Sequence, residues 1–268
     1  MRTIVHLSDL HFGRLDERII PPLLDQIDRL APDLVAISGD LTQRARRQQF
    51  EHARAFLNRM PYPRLVVPGN HDVPLFNLAA RLLDPFGGYR RHIGPDLEPT
   101  HTDREMAVVG LNSVRVLTIS GRGRLNMTQV IEATDRLRRM DPACIKVIVT
   151  HHPFDVPEGV HADELVGRAA KAIARLVEAG ADLFLAGHLH VSHVGHTAER
   201  YAVAGRSALV VQAGTLSTRG RGELNSFNVL RLARPEVTIE RYSWPTNGRS
   251  FEQSFTGKFR HTSKGWTA

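Results

Sequence analysis

A single cysteine, Cys144, among 268 residues excludes an internal disulfide, and its place beside the apolar run Ile145–Val149 marks it as a buried, inert thiol. Aromatic residues are scarce at 6%, and only four of the 35 basic residues are lysine, so the interleaved basic and aromatic pattern of a nucleic-acid groove is missing. A nucleic-acid partner is therefore not expected. No stretch nears the roughly 18 uninterrupted apolar residues that a membrane span needs. The run from Met1 to Leu7 enters a strand-like pattern without a signal-peptide core, so a cytoplasmic setting is expected. Repeats, low-complexity tracts and linkers are also lacking, which points to one domain over residues 1–268. What is present is ordinary for a globular chain: 42% hydrophobic and 24% charged residues, which excludes disordered, collagenous and coiled-coil classes. The excess of base over acid gives a net charge of +7, which favours anionic partners without naming one.

Short β-branched runs alternate with helix-length segments, the signature of a layered α/β fold. Strands are expected at 3–7, 34–38, 64–67, 106–111, 145–150 and 183–186, and further strands at 208–212, 227–232 and 237–242 follow one another without a helix between. The last third should thus be antiparallel or mixed, with two packed sheets. Apolar residues return every three or four positions in 19–30, 46–59, 128–140 and 165–179, which predicts helices, with Thr128 as an N-cap and Gly180 closing the last. The segment 84–103 lacks a period and reads as a rim insertion. The tail from about 245 carries spaced aromatics (Phe251, Phe255, Phe259, Trp266), which suit either a poorly ordered terminus or a surface for a homodimer.

Five strands end in residues that ligate metals: Asp9-Leu10-His11, Gly39-Asp40, Gly69-Asn70-His71-Asp72, His151-His152-Pro153 and Gly187-His188-Leu189-His190. In open α/β sheets the carboxyl ends of the strands line the ligand crevice, so five such clusters converge on one place. Carboxylates, imidazoles and a carboxamide without thiolates suit Mn, Fe, Zn, Ni or Co and disfavour copper or a cysteine-bound structural zinc. Seven or eight ligands exceed one ion. Two cations about 3.5 to 4 Å apart, bridged by a carboxylate and a hydroxide, use such a set and clamp both oxygens of an in-line displacement at phosphorus. Two ligating carboxylates and that hydroxide would leave the divalent pair one positive charge, enough for one anionic phosphodiester. Glycines before Asp40, Asn70 and His188 permit the sharp bends.

In order and spacing these blocks resemble the calcineurin-like metallophosphoesterase superfamily, whose signature runs D-x-H, G-D, G-N-H-D/E, H-x-P and G-H-x-H. The resemblance spans Asp9 to His190, and the Val73-Pro74, Gly214-Thr215 and Asn225-Ser226-Phe227 pieces are most similar to bacterial class III cyclic nucleotide phosphodiesterases. It implies a four-layer αββα sandwich with two mixed sheets and the metal site at the strand C-terminal ends. It further implies that Asp9, His11, Asp40 and His190 bind a first metal, that Asp40 bridges, and that Asn70, His151 and His188 complete a second. Manganese or iron is the implied pair. His71 is then a catalytic residue over the substrate, Asp72 orients an imidazole, and His152 points elsewhere. The implied activity is hydrolysis of small phosphodiesters, 3',5'-cyclic nucleotides first, with a glycerophosphodiester, a nucleotide pyrophosphate or a nucleic-acid end as other substrates. A non-catalytic nucleic-acid-binding protein and an inert scaffold are the readings outside catalysis. His193, His196, Arg219 and Arg221 are expected to be ordinary loop residues, as are His92 and His101 in the rim segment.

Overall fold

A computed structural model describes residues 1–118, 121–201 and 206–267. In chain order its elements are β1 (Arg2–Leu7), α1 (Ile20–Leu30), β2 (Leu34–Ser38), α2 (Arg47–Leu57), β3 (Arg64–Val67), α3 (Leu78–Leu83), α4 (Gly87–His92), β4 (Thr100–Thr102), β5 (Met106–Gly110), α5 (Met127–Arg139), β6 (Ile145–Val149), α6 (Ala169–Glu178), β7 (Leu183–Ala186), β8 (His193–His196), α7 (Thr197–Arg200), β9 (Leu209–Gln212), β10 (Ser226–Ala233), β11 (Glu236–Ser243), β12 (Glu252–Thr262) and β13 (Gly265–Thr267). One sheet has the order β13-β12-β11-β10-β1-β2-β3 and the other β4-β5-β6-β7-β9-β8. Both are mixed: β1, β2 and β3 run parallel while β10 lies antiparallel to β1, and β5, β6, β7 and β9 run parallel between antiparallel edges β4 and β8.

Three cores define four layers. Ile4, Leu34, Ala36, Leu65 and Val67 meet Val108, Val147, Leu185 and Val211 between the sheets. Val5, Leu7, Val35 and Ile37, the alternate residues of the same strands, pack outward on Leu23 and Ile27 of α1 and Phe50 and Phe56 of α2. Val109, Ile148 and Phe184 do the same on the far side against α5 and α6. A strand buried on both faces has no polar side to show, which is why these strands read as continuous apolar runs.

Several expectations are corrected. The cap of α5 is Asn126, whose side chain accepts from Thr128 N at 3.1 Å while Gln129 Oε1 accepts from Asn126 N at 3.0 Å, so Thr128 lies inside the helix. Helix α6 begins at Ala169, after Arg168 takes a left-handed φ of 71°, and Gly180 (φ 96°) follows its end. Residues 208–212 join the second sheet beside β7 and not the antiparallel run. The segment 84–103 holds α4 and β4, and Phe86 and Tyr89 are buried against α2 and β3, Tyr89 donating to Val66 O at 2.8 Å. His92 stacks on Phe50 and His101 sits in β4. The tail forms β12 and β13, and three of its aromatics, Phe251, Phe259 and Trp266, are buried in this chain's own core, leaving Phe255 exposed. The aromatic argument for a homodimer falls with that burial. Among the described residues no helix is long and apolar enough to cross a membrane.

Trp266 is 1% exposed and its indole donates to Asp182 Oδ1 at 2.9 Å, so the tail is part of the core. Trp266→Ala is expected to lower stability by about 3–5 kcal/mol, read from the urea midpoint; a change below about 1 kcal/mol would show a tail that packs without contributing.

Candidate metal centre

Each of the five sequence clusters lies just past the carboxyl end of a parallel strand, and the backbone there is unusual. Among the described residues eight that are not glycine have a left-handed φ, and five of them are Asp9 (53°), His11 (44°), Asp40 (52°), His188 (72°) and His190 (58°). Such a conformation costs on the order of 1–3 kcal/mol per residue and persists only when neighbours over-determine it. They do so here. Asp9 N donates to Gly39 O at 3.1 Å and His11 N to Asp40 O at 2.9 Å, which ties the end of β1 to that of β2. Gly187 N donates to His151 O at 3.0 Å, and Thr215 Oγ1 to Asp9 O at 2.9 Å. Glycine is required where the turns touch: a β-carbon at Gly187 would stand 1.7 Å from Ser8 Oγ and 2.4 Å from Asp9 Oδ2.

The donor atoms gather in two sets. In the first, His11 Nε2 and His190 Nε2 are 3.1 Å apart, and Asp9 Oδ1 stands 3.5 and 3.1 Å from them. In the second, His151 Nε2 lies 3.0 Å from Asn70 Oδ1 and 3.3 Å from His188 Nδ1. Asp40 Oδ2 belongs to both, 3.6 Å from His11 Nε2 and 3.4 Å from His151 Nε2. Two ligands at right angles on one ion with bonds of about 2.1 Å are separated by about 3 Å, so these spacings are those of coordination edges.

Surrounding contacts aim the rings. His151 Nδ1 meets Ser38 O at 2.8 Å and His190 Nδ1 meets Arg219 O at 2.8 Å; a carbonyl only accepts, so each Nδ1 carries a hydrogen and each Nε2 is the atom turned to its donor set. His188 is turned the other way, with Nε2 3.5 Å from Glu164 Oε2. Asp9 Oδ2 accepts from Ser8 Oγ at 2.6 Å and His188 N at 2.9 Å, whereas Asp9 Oδ1 is buried without a hydrogen-bond partner. Burial raises the Asp9 and Asp40 carboxyls, but the imidazoles around them outweigh it and hold both well below the usual carboxylate range. Burial would lower His151 too, yet Asp40 draws it up to about 9. An orphaned carboxylate oxygen, imidazole nitrogens turned onto buried carboxylates and an all-nitrogen-and-oxygen donor set fit divalent cations at this place.

His71 stands at the edge of this centre. Its backbone N donates to Asp40 Oδ1 at 2.8 Å, its Nδ1 is anchored on Gln43 O at 2.8 Å, and its Nε2 faces the cleft, 3.0 Å from Arg219 Nη1. Asp72 does not orient an imidazole. Its carboxylate accepts from Thr42 N (2.8 Å), Thr42 Oγ1 (3.0 Å), Leu41 N (3.2 Å) and Gly69 N (3.0 Å), fastening the turn after β2 to the turn after β3. Burial, with Asp40 adding to it, raises its pKa to about 6 against those donors. His152 packs on His151 and His188, with ring centroids 4.8 and 4.6 Å away, but both its ring nitrogens are engaged by Ser113 Oγ (2.8 Å) and Gly121 O (2.7 Å).

Of four residues expected to be ordinary loop residues, two stand in a strand and two in a loop that folds over the centre. His193 and His196 form the ends of β8, where His193 pairs with Asp155 at 3.1 Å. Arg219 and Arg221 line the cleft over the centre, a space of about 360 Å³ shared with Arg44, Arg81, Thr118 and Glu164; no residue of 84–103 reaches it. Among the described residues the rim is therefore built by Val73, Leu75 and Arg81 with Thr118 and Gly121. Arg44, Arg81 and Glu164 escaped the sequence reading because single charged residues outside a motif carry no spacing signal.

A two-sheet sandwich with paired donor sets at its strand ends is the plan of calcineurin-like phosphoesterases; that family's model matches residues 2–192, and the chain belongs to the family. Among individual relatives, a glycerophosphodiester phosphodiesterase of Enterobacter lignolyticus is 31% identical over 80 residues, covering 26% of this chain and 29% of that protein. A probable cyclic nucleotide phosphodiesterase of Synechococcus is 26% identical over 162 residues, covering 56% and 58%. The chain thus matches less than two thirds of either relative's length. In fold alone it is similar to a dimetal phosphatase from Danio rerio (TM-score 0.63, 14% identity, 94% of this chain and 98% of that one). A purple acid phosphatase from yellow lupin gives a TM-score of 0.71 at 12% identity, with 96% of this chain and 53% of that one covered.

Asp72→Asn replaces an acceptor of four hydrogen bonds by an amide that sets an NH₂ group against backbone N–H donors. A loss of about 2–3 kcal/mol in chemical denaturation is expected, and undiminished stability would show that the clasp between the two turns contributes nothing.

Proposed function

We propose that the chain is a metal-dependent phosphodiesterase acting on small phosphodiesters, with 3',5'-cyclic nucleotides as the first substrates to test. The observation that carries this reading is the pair of donor sets sharing Asp40 Oδ2. In this reading Asp9, His11, Asp40 and His190 hold one divalent cation, and Asp40, Asn70, His151 and His188 hold the other, manganese or iron before zinc, nickel or cobalt. The ions supply Lewis acidity that activates water and offsets charge on the phosphoryl oxygens. The residues around them do the rest. Arg219, Arg221 and Arg44 give the cleft a cationic lining that draws in an anion. His71, fixed through Nδ1 on Gln43 O, turns Nε2 into the cleft beside the leaving oxygen, and Arg219 next to it contributes a hydrogen-bond donor for a phosphoryl oxygen. Glu164 holds His188 with Nδ1 toward the centre. The named activities of the two relatives, on a cyclic nucleotide and on a glycerophosphodiester, support a diester substrate.

The test is hydrolysis of bis(p-nitrophenyl) phosphate, p-nitrophenyl phosphate and 3',5'-cyclic AMP after reconstitution with manganese. Diester turnover well above monoester turnover is expected, and cyclic AMP left intact while another diester is cleaved would keep the mechanism and transfer the search to other diesters. Asn70→Ala should retain the fold, bind one ion in place of two by elemental analysis and lose activity. His71→Ala should keep both ions and lose roughly a hundredfold or more in kcat. Full activity in Asn70→Ala, or loss of an ion in His71→Ala, would show the roles to be wrongly assigned.

A further inference from the structure

Large apolar side chains on the surface of this protein are not scattered. Among the described residues nine are exposed, and five of them gather at one edge of the cleft: Phe76 (77% exposed), Leu78 (63%), Leu82 (65%), Leu83 (86%) and Leu117 (80%). Leu78 and Leu82 lie one turn apart on the same face of α3. The one buried residue of that helix, Arg81, fixes how it sits. Arg81, 8% exposed, donates from Nε to Val116 O (2.7 Å), from Nη1 to Pro74 O (2.9 Å) and from Nη2 to Thr118 O (2.9 Å). One guanidinium thus binds α3 to both flanking segments and holds Phe76, Leu117 and the leucines in a single frame. Contiguous exposed apolar surface of this kind marks an interaction site.

The patch is also cationic. Arg44 lies over the ring of Phe76, 5.9 Å from its centroid, and a groove of about 570 Å³ beside it is lined by Arg44, Arg46, Arg91, Leu75 and Phe76. Arg44 and Leu75 belong to the catalytic cleft as well, so groove and cleft are continuous. Asp84 is the only acidic residue between 74 and 92, and it is 3.6 Å from Arg90.

We propose that this patch docks the mouth of the cleft onto an anionic phospholipid bilayer. Apolar side chains that insert at the boundary of headgroups and acyl chains, ringed by arginines that meet anionic headgroups, are the two components of peripheral membrane binding. The charge distribution argues against a second copy of this chain as the occupant. A two-fold contact places each patch against its own equivalent, and Arg44, Arg46 and Arg91 would then face arginines. The inference rests on the surface alone and does not depend on the chemistry inside the cleft.

The experiment is co-sedimentation of the full chain with vesicles of phosphatidylcholine, with and without phosphatidylglycerol. Binding to the anionic vesicles is expected to exceed binding to neutral ones by roughly tenfold or more and to weaken at high salt. The double variant Leu82→Glu, Leu83→Glu changes two exposed positions, so its circular dichroism should match that of the parent while its vesicle binding falls about as far. Arg46→Gln with Arg91→Gln should weaken binding to anionic vesicles selectively. No binding at low ionic strength, or equal binding by the leucine variant, overturns the proposal. So does a dimer in light scattering that the leucine variant dissociates, since a second copy would then cover the patch.

Discussion

Asp40 carries the charge on which the architecture of the site turns. It is 1% exposed, and a carboxylate so deeply buried must be answered by partners or by cations. One oxygen accepts from His71 N and the other faces His11 and His151 together. Every element around it is placed by that need. The ends of β1, β2, β3, β6 and β7 all approach this one carboxylate or its neighbour Asp9, and the two sheets meet at their carboxyl edges because side chains of both sheets face the same charges.

The approach is achieved with backbone that disfavours itself. Five strand-end residues adopt left-handed angles, and the hydrogen bonds between turns, with the four accepted by Asp72, hold them there. The rigid parallel core beneath, buried on both faces, is what offsets that strain. The site is therefore local in its chemistry and global in its support.

Much of this was legible in the sequence, for identifiable physical reasons. Strands such as 34–38 and 64–67 were found to the residue because burial on both faces leaves unbroken apolar runs, Leu34–Ile37 and Leu65–Val67, with Ser38 and Arg64 only at the ends. The metal blocks were found because few residue types can ligate a cation. Strands β8 and β12 were missed: His193–His196 begins and ends in histidine, and most of β12 is exposed, so neither shows an apolar run. Short α3 and α4 lack the length to show a period. Asp72 was located correctly and its contacts were not, because a motif fixes a position in the chain and says nothing about which neighbours a carboxylate will meet. Arg219 was assigned to solvent because its glycine-rich surroundings look like an exposed loop, while the structure folds that loop back over the histidines.

The pairing of β1 has a consequence for how the chain is made. β1 leads into Asp9 and His11 and lies between β2 and β10, with Arg2 opposite Leu232. During synthesis one edge of β1 waits for its partner until β10 (Ser226–Ala233) has left the ribosome, and long-range closure of this kind slows folding and leaves an open strand edge in the interval. Asp9 and His11, made before the rest of the site, are thus among its last residues to be fixed.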